Sequence, residues 1–209
     1  MNNNILNSNS ACLHKIMVIL MVFSVFTLTS CDDDDPVKED VPELITKATL
    51  VFTPSGGGTA VTATATDPDG DGVQDIAVDG PINLTSGTTY TLTIALINEL
   101  ADPTDEEYDI SEEVEEEGDE HMFFFAWTND VFSDPTGNGN IDNRADVVNY
   151  EDQDDDGQPL GLESSWTAGA AGAGTFRVVL KHQPELKSSV SDVNTGETDL
   201  DITFDIIVN

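Results

Sequence analysis

Asp199-Leu200-Asp201-Ile202-Thr203-Phe204-Asp205-Ile206-Ile207-Val208 is the stretch that decides the fold. Leu200, Ile202, Phe204, Ile206 and Val208 point one way, while Asp199, Asp201, Thr203 and Asp205 point the other. Successive side chains of a strand alternate between its faces, so this segment reads as a strand with one apolar and one wet face. Half-buried antiparallel strands produce that pattern.

The same period recurs upstream. Tyr90, Leu92, Ile94 and Leu96 alternate with Thr91, Thr93 and Ala95. Leu50 and Phe52 share a face, as do Phe123, Phe125 and Trp127, and again Phe176, Val178 and Leu180. In residues 59–66 threonine alternates with alanine from Thr62 to Thr66. One segment reads as a helix: Asp109 caps Ile110–Glu117, Glu112 stands at the third position and Gly118 follows. No strand–helix–strand alternation occurs, which argues against an α/β fold. Leu84 to Tyr90, a leucine, a tight turn and a tyrosine entering a strand, resembles the tyrosine corner of immunoglobulin-like domains. The expected fold is all-β, an immunoglobulin-like antiparallel β-sandwich of about seven or eight strands.

Residues 1–30 contain no acid and one base, Lys15, followed by the apolar run Ile16–Leu28. A bilayer-spanning helix needs about 20 residues and a signal-peptide core about 7–15, so this run directs export. It ends in Leu28-Thr29-Ser30-Cys31, which resembles the lipobox of bacterial lipoproteins. Cys12 leaves with the signal, so the exported chain keeps one thiol and no internal disulfide. Lipid on Cys31 explains that thiol and anchors the protein to a membrane. Residues 31–46, with the run Asp32-Asp33-Asp34-Asp35-Pro36, form an acidic tether that extends by self-repulsion. Residues 47–209 are the β-domain.

The chain has 41 acids against 7 bases, a net charge of −34. Phosphates would be repelled, which excludes nucleic acid as a partner. Such charge destabilises a compact state, and divalent cations would relieve it. Three segments share one oxygen-rich grid. In the first, Asp67, Asp69, Asp71 and Asp75 occupy positions 1, 3, 5 and 9, with Gly72 at 6. In the third, Asp152, Asp154 and Asp156 occupy 1, 3 and 5, with Gly157 at 6. Residues 134–142 follow the grid with the more weakly charged Thr136 and Asn138. Calcium takes six to eight oxygens, and alternate side chains of a tight loop converge on one ion. Position 12, glutamate in an EF-hand, holds Val78, Ala145 and Glu163, so any such site takes further ligands from elsewhere in the fold. The same residues also suit plain turns.

Two histidines remain after export, His121 and His182, each on the apolar face of its strand and near its end. If those strands pair, the two imidazoles and Glu120 offer a site for zinc, copper or iron. Hydrogen-bonded histidines at a sandwich edge are the alternative. No nucleophile elbow, His-Glu-x-x-His or phosphate-cradling glycine loop is present, so no enzyme is expected.

Asp67-Pro68-Asp69-Gly70-Asp71-Gly72, Leu84–Tyr90, Ile97-Asn98-Glu99, Glu115–His121, Asp154–Leu162, Gly169–Gly174, Lys181-His182-Gln183-Pro184 and Glu197-Thr198-Asp199 together resemble a family of uncharacterised Bacteroidota lipoproteins. Members are sometimes labelled as a type 1 periplasmic binding fold, an α/β architecture that the strand pattern here opposes. The acids that follow Cys31 resemble the surface-export pattern of Bacteroidota lipoproteins, which implies an outer-membrane or cell-surface location. The sequence thus predicts a lipid-anchored acidic envelope module, for binding or structure, that takes calcium in its Asp-rich loops. The alternative is transition-metal capture beside an envelope partner protein, and hydrolysis comes last.

Overall fold

The computed structural model describes residues 43–70 and 76–209. The expected signal peptide, Cys31, nearly all of the tether, Asp71 and Asp75 lie outside these residues. Described residues form ten strands in two sheets. They are β1 (Lys47–Pro54), β2 (Val61–Thr66), β3 (Ala77–Val78), β4 (Ile82–Leu84), β5 (Thr89–Ile97), β6 (His121–Trp127), β7 (Phe132–Asp134), β8 (Glu163–Ala168), β9 (Gly172–His182) and β10 (Glu197–Val208). One sheet has the order β3-β2-β1-β5-β8-β7, the other β4-β10-β9-β6.

The protein is all-β, as its alternation requires, but seven or eight strands is an undercount. β3, β4 and β7 are two or three residues long, too short for a period of two to show. Pairing is antiparallel throughout except where β4 runs parallel to β10. The deciding stretch is β10: Leu200, Ile202, Phe204, Ile206 and Val208 are all buried.

The inner faces of the two sheets share one core. Phe176 of β9 sits at its centre, 5.1 Å from Trp166 of β8 and 6.1 Å from Phe52 of β1, both edge-on. Aromatic edges are positive and faces negative, which favours this geometry. The Tyr90 hydroxyl accepts from the Thr85 backbone N–H at 2.9 Å, closing the turn that leads into β5.

Among the described residues a 3-10 turn (Glu106–Tyr108) leads into one α-helix, α1 (Ile110–Glu116), whose cap Asp109 accepts from the N–H groups of Ser111 and Glu112. Two turns are marginal alone, so packing must hold it. Ile110 and Val114 are buried, and the Ser111 hydroxyl bridges the Leu96 N–H at 2.6 Å and its carbonyl at 3.2 Å.

β6 is apolar on both faces. Phe123, Phe125 and Trp127 join the main core, while Met122 and Phe124 turn outward into a second cluster with Val179, packed by Ile141, Tyr150 and Val193. Its unpaired edge is covered by the segment that follows. Leu160 accepts from the Phe123 N–H, Asn140 Oδ1 from that of Phe125, and Asn138 from that of Trp127. A side chain at Gly139 would collide with the Phe125 carbonyl, so glycine is required at this approach.

Candidate metal centre

β6 and β9 pair with His121 directly opposite His182. Their rings stack with centroids 4.7 Å apart and planes 4° from parallel. Both are buried, at 0% and 5% exposure. The sequence expectation that pairing joins the two imidazoles is met.

The His121 ring is held in one tautomer. Its Nδ1 lies 3.1 Å from the Glu117 carbonyl. A carbonyl oxygen only accepts, so Nδ1 carries the hydrogen and donates it. In the neutral ring Nε2 is then a bare lone pair. Burial lowers the His121 pKa from 6.5 to about 4, so the ring is neutral at pH 7. That Nε2 is buried and has no hydrogen-bond partner.

The nearest carboxylate is Asp199, with Oδ2 at 3.8 Å from Nε2, too long for a hydrogen bond. Asp199 is 3% exposed, and neither of its oxygens makes a well-formed hydrogen bond. Burial raises its pKa to about 6, against the opposing pull of His182, the Glu43 backbone and Lys181. Its placement corrects the sequence reading, which set Asp199 on the wet face of the last strand. The β9–β10 register shifts between Thr198 and Leu200, so Asp199 is the extra residue of a bulge. A bulge re-aims its side chain, here inward.

The acids come chiefly from the end of α1 and the turn into β6. Glu117, His121 and His182 each offer a ligand atom, all within 4.8 Å of one another. Glu117 also belongs to a half-buried trio with Glu43 and Glu113. Glu120, the carboxylate expected from sequence, has Oε2 3.3 Å from His182 Nε2 and so orients that ring. Sequence reasoning passed over Glu117 as one acid among many. Its helical spacing, four residues before His121, was the available signal.

Donors around a tetrahedral zinc stand roughly 3.3–3.6 Å apart, given bonds of about 2.0–2.2 Å. The Glu117, His121 and His182 ligand atoms lie within 4.8 Å of one another, so closing onto an ion draws them together. Two imidazoles and carboxylates suit zinc, copper or iron.

The Asp-rich loops are placed differently. Asp67 is buried and its Oδ1 accepts from the N–H groups of Asp69 and Gly70. Asp152 accepts from Gly161 N–H at 2.7 Å through one oxygen and from Glu163 N–H at 2.9 Å through the other. Asp154 Oδ1 accepts from Asp156 and Gln158 N–H, and its Oδ2 lies 2.8 Å from Lys187 Nζ. Among the described residues Asp152, Asp154 and Asp156 do not form a close ligand group, whereas the histidine cluster does. In the middle segment Asp134 accepts from the Asn149 amide at 3.0 Å.

Comparison of the chain with family models, with curated proteins and with solved structures gave no match. The functional reading therefore rests on the geometry.

Proposed function

We propose that the domain is a metal-binding envelope module that holds one transition-metal ion between His121, His182 and Glu117, with Asp199 as a further ligand. One observation carries this reading. Nε2 of His121 and both oxygens of Asp199 are buried in one place, and none of them makes a well-formed hydrogen bond. An unsatisfied buried polar group costs about 1–3 kcal/mol, so three of them in one spot ask for a common partner. A cation supplies it. The backbone-held tautomer supports the reading, because metal-bound histidines commonly donate their other N–H to a carbonyl or carboxylate.

The metal-free protein, stripped with chelator at pH 7, is the material for the test. Zinc competition against a chromophoric chelator should give one equivalent per chain, with a raised melting temperature. His121→Leu and His182→Leu should abolish that equivalent while remaining folded by circular dichroism. Equal zinc uptake by both variants would leave two stacked histidines and no metal site.

Around this centre the reading places lipid on Cys31, an outer-membrane or cell-surface location and a non-enzymatic role. It takes the sandwich as immunoglobulin-like, which the Tyr90–Thr85 hydrogen bond supports. Calcium in the loops of Asp67, Asp69, Asp71 and Asp75, and of Asp152, Asp154 and Asp156, is the second reading. The net charge of −34 favours it.

A further inference from the structure

Arg144 stands apart from the other described cations. Lys47 pairs with Glu99, Arg177 with Asp201 and Lys187 with Asp154, and Lys181 donates to Thr198. Among the described residues only Arg144 has no hydrogen bond or ion pair, in a chain with 41 acids. Its Nε is buried without an acceptor. Its two terminal nitrogens are not among the buried atoms that lack a partner, and the residue as a whole is half-buried.

Arg144 lines a cleft of about 430 Å³ with Val147, Val148, Tyr150, Pro159 and Val190, and the one acid in its lining, Asp146, is held by the Asn143 amide at 2.8 Å. Val147 is 62% and Val190 81% exposed, two of the most exposed large apolar side chains among the described residues. Both line the cleft that Arg144 lines. Scattered exposed valines mean little, but apolar side chains converging on a polar anchor in a concavity describe a ligand site.

From these observations we infer that the cleft binds a small organic carboxylate with an apolar body. Parallel N–H groups of a guanidinium match the two oxygens of one carboxylate: Arg177 meets Asp201 through Nε and Nη2, at 2.8 and 2.6 Å, and with its Nε buried Arg144 has the Nη1–Nη2 fork for the same purpose. The apolar body lies over Val148, Tyr150 and Pro159, under Val190. The surrounding acid excludes free anions that lack such a body, because only apolar contact offsets the repulsion.

The test is independent of the histidine centre and is run in chelator. 4-Phenylbutyrate is titrated into the protein and followed by two-dimensional amide NMR, with 4-phenylbutanol and sodium acetate as controls. Saturable shifts should map to Arg144, Tyr150 and Val190, with a dissociation constant below about 10 mM, or roughly 3 kcal/mol of binding. The alcohol and acetate should each bind at least about ten-fold more weakly, a 1.4 kcal/mol difference. Arg144→Gln should lose the preference for the acid over the alcohol. Val190→Asp should weaken both. A peptide ending in phenylalanine, compared with its C-terminal amide, tells whether a chain terminus serves as well as a free acid. Equal binding of acid and alcohol, an unchanged Arg144→Gln titration, or no saturable shift at about 10 mM would overturn the inference.

Discussion

Asp199 Oδ2 faces His121 Nε2 across 3.8 Å in a place where neither group meets water. Burial shifts the titration of the two in opposite senses, because it disfavours the charged form of each. Folded His121 holds its proton only below about 4, against 6.5 when unfolded. Folded Asp199 keeps its proton up to about 6, against 3.8 when unfolded.

From about pH 4 to 6 the folded pair therefore binds one proton, on Asp199, and the unfolded pair binds one, on His121. Equal proton counts give no slope of stability with pH. In metal-free protein, His121→Leu should expose the Asp199 contribution. Stability relative to wild type then falls as pH rises through this window, by on the order of 2 kcal/mol. Asp199→Asn should do the reverse, with relative stability rising with pH. Denaturant melts at several pH values check both signs, and parallel curves for the two variants would show that burial does not shift the two groups in opposite senses.

A second expectation concerns Lys187 and Asp154, an ion pair at 2.8 Å whose side chains are 1% and 2% exposed. Burial opposes ionisation of Asp154, yet hydrogen bonds from Lys187 and the Gln158 backbone outweigh it and hold the carboxyl below its usual range. Lys187 Nζ also donates to the Gly118 carbonyl at 2.6 Å, tying the 183–196 loop to the end of α1. Lys187→Met strands a buried carboxylate and should cost about 3–5 kcal/mol. Adding Asp154→Leu should recover much of that. Chemical denaturation of the three variants measures it, and a double mutant no better than the single one would deny that the charge is the cause.

Calcium has its own signature. If the Asp loops bind it, 1 mM calcium at a dissociation constant of about 0.1 mM adds roughly 1.4 kcal/mol per site. Magnesium at equal ionic strength should add less, since it dehydrates reluctantly. Asp69→Asn with Asp156→Asn is the suitable variant, because Asp154 already serves Lys187. Equal shifts in melting temperature from the two ions reduce these loops to turns.

Cys31→Ala should move the protein from the membrane fraction to the soluble one, as read by sedimentation and immunoblot. Continued sedimentation places the anchor elsewhere.

Much of the architecture is legible in the sequence because β5 and β10 are long and bury one face only, so hydrophobicity alternates cleanly. Asp109 is equally plain, since capping is a local interaction. The histidines could be placed on apolar faces, and pairing then brought them together. Asp199 could not be found this way. Its inward turn depends on one unpaired residue in the β9–β10 ladder, a tertiary event that leaves the alternation intact on paper. Met122 and Phe124 were hidden for a related reason: the loops that cover them come from far along the chain.

The cover over β6 has a further consequence. His121-Met122-Phe123-Phe124-Phe125-Ala126-Trp127 is a seven-residue, uncharged, strongly apolar edge strand. Left bare, such a segment templates cross-chain pairing and aggregation. The Asn138, Asn140 and Leu160 contacts occupy its free backbone groups and act as a built-in guard. Because the ribosome makes β6 before that guard, and before β9, the nascent chain passes through an interval with a sticky edge. Loosening the guard, for example with Asn140→Ala, which removes the acceptor of the Phe125 N–H, should reveal itself as fibrils or inclusion bodies at concentrations where the wild type stays soluble.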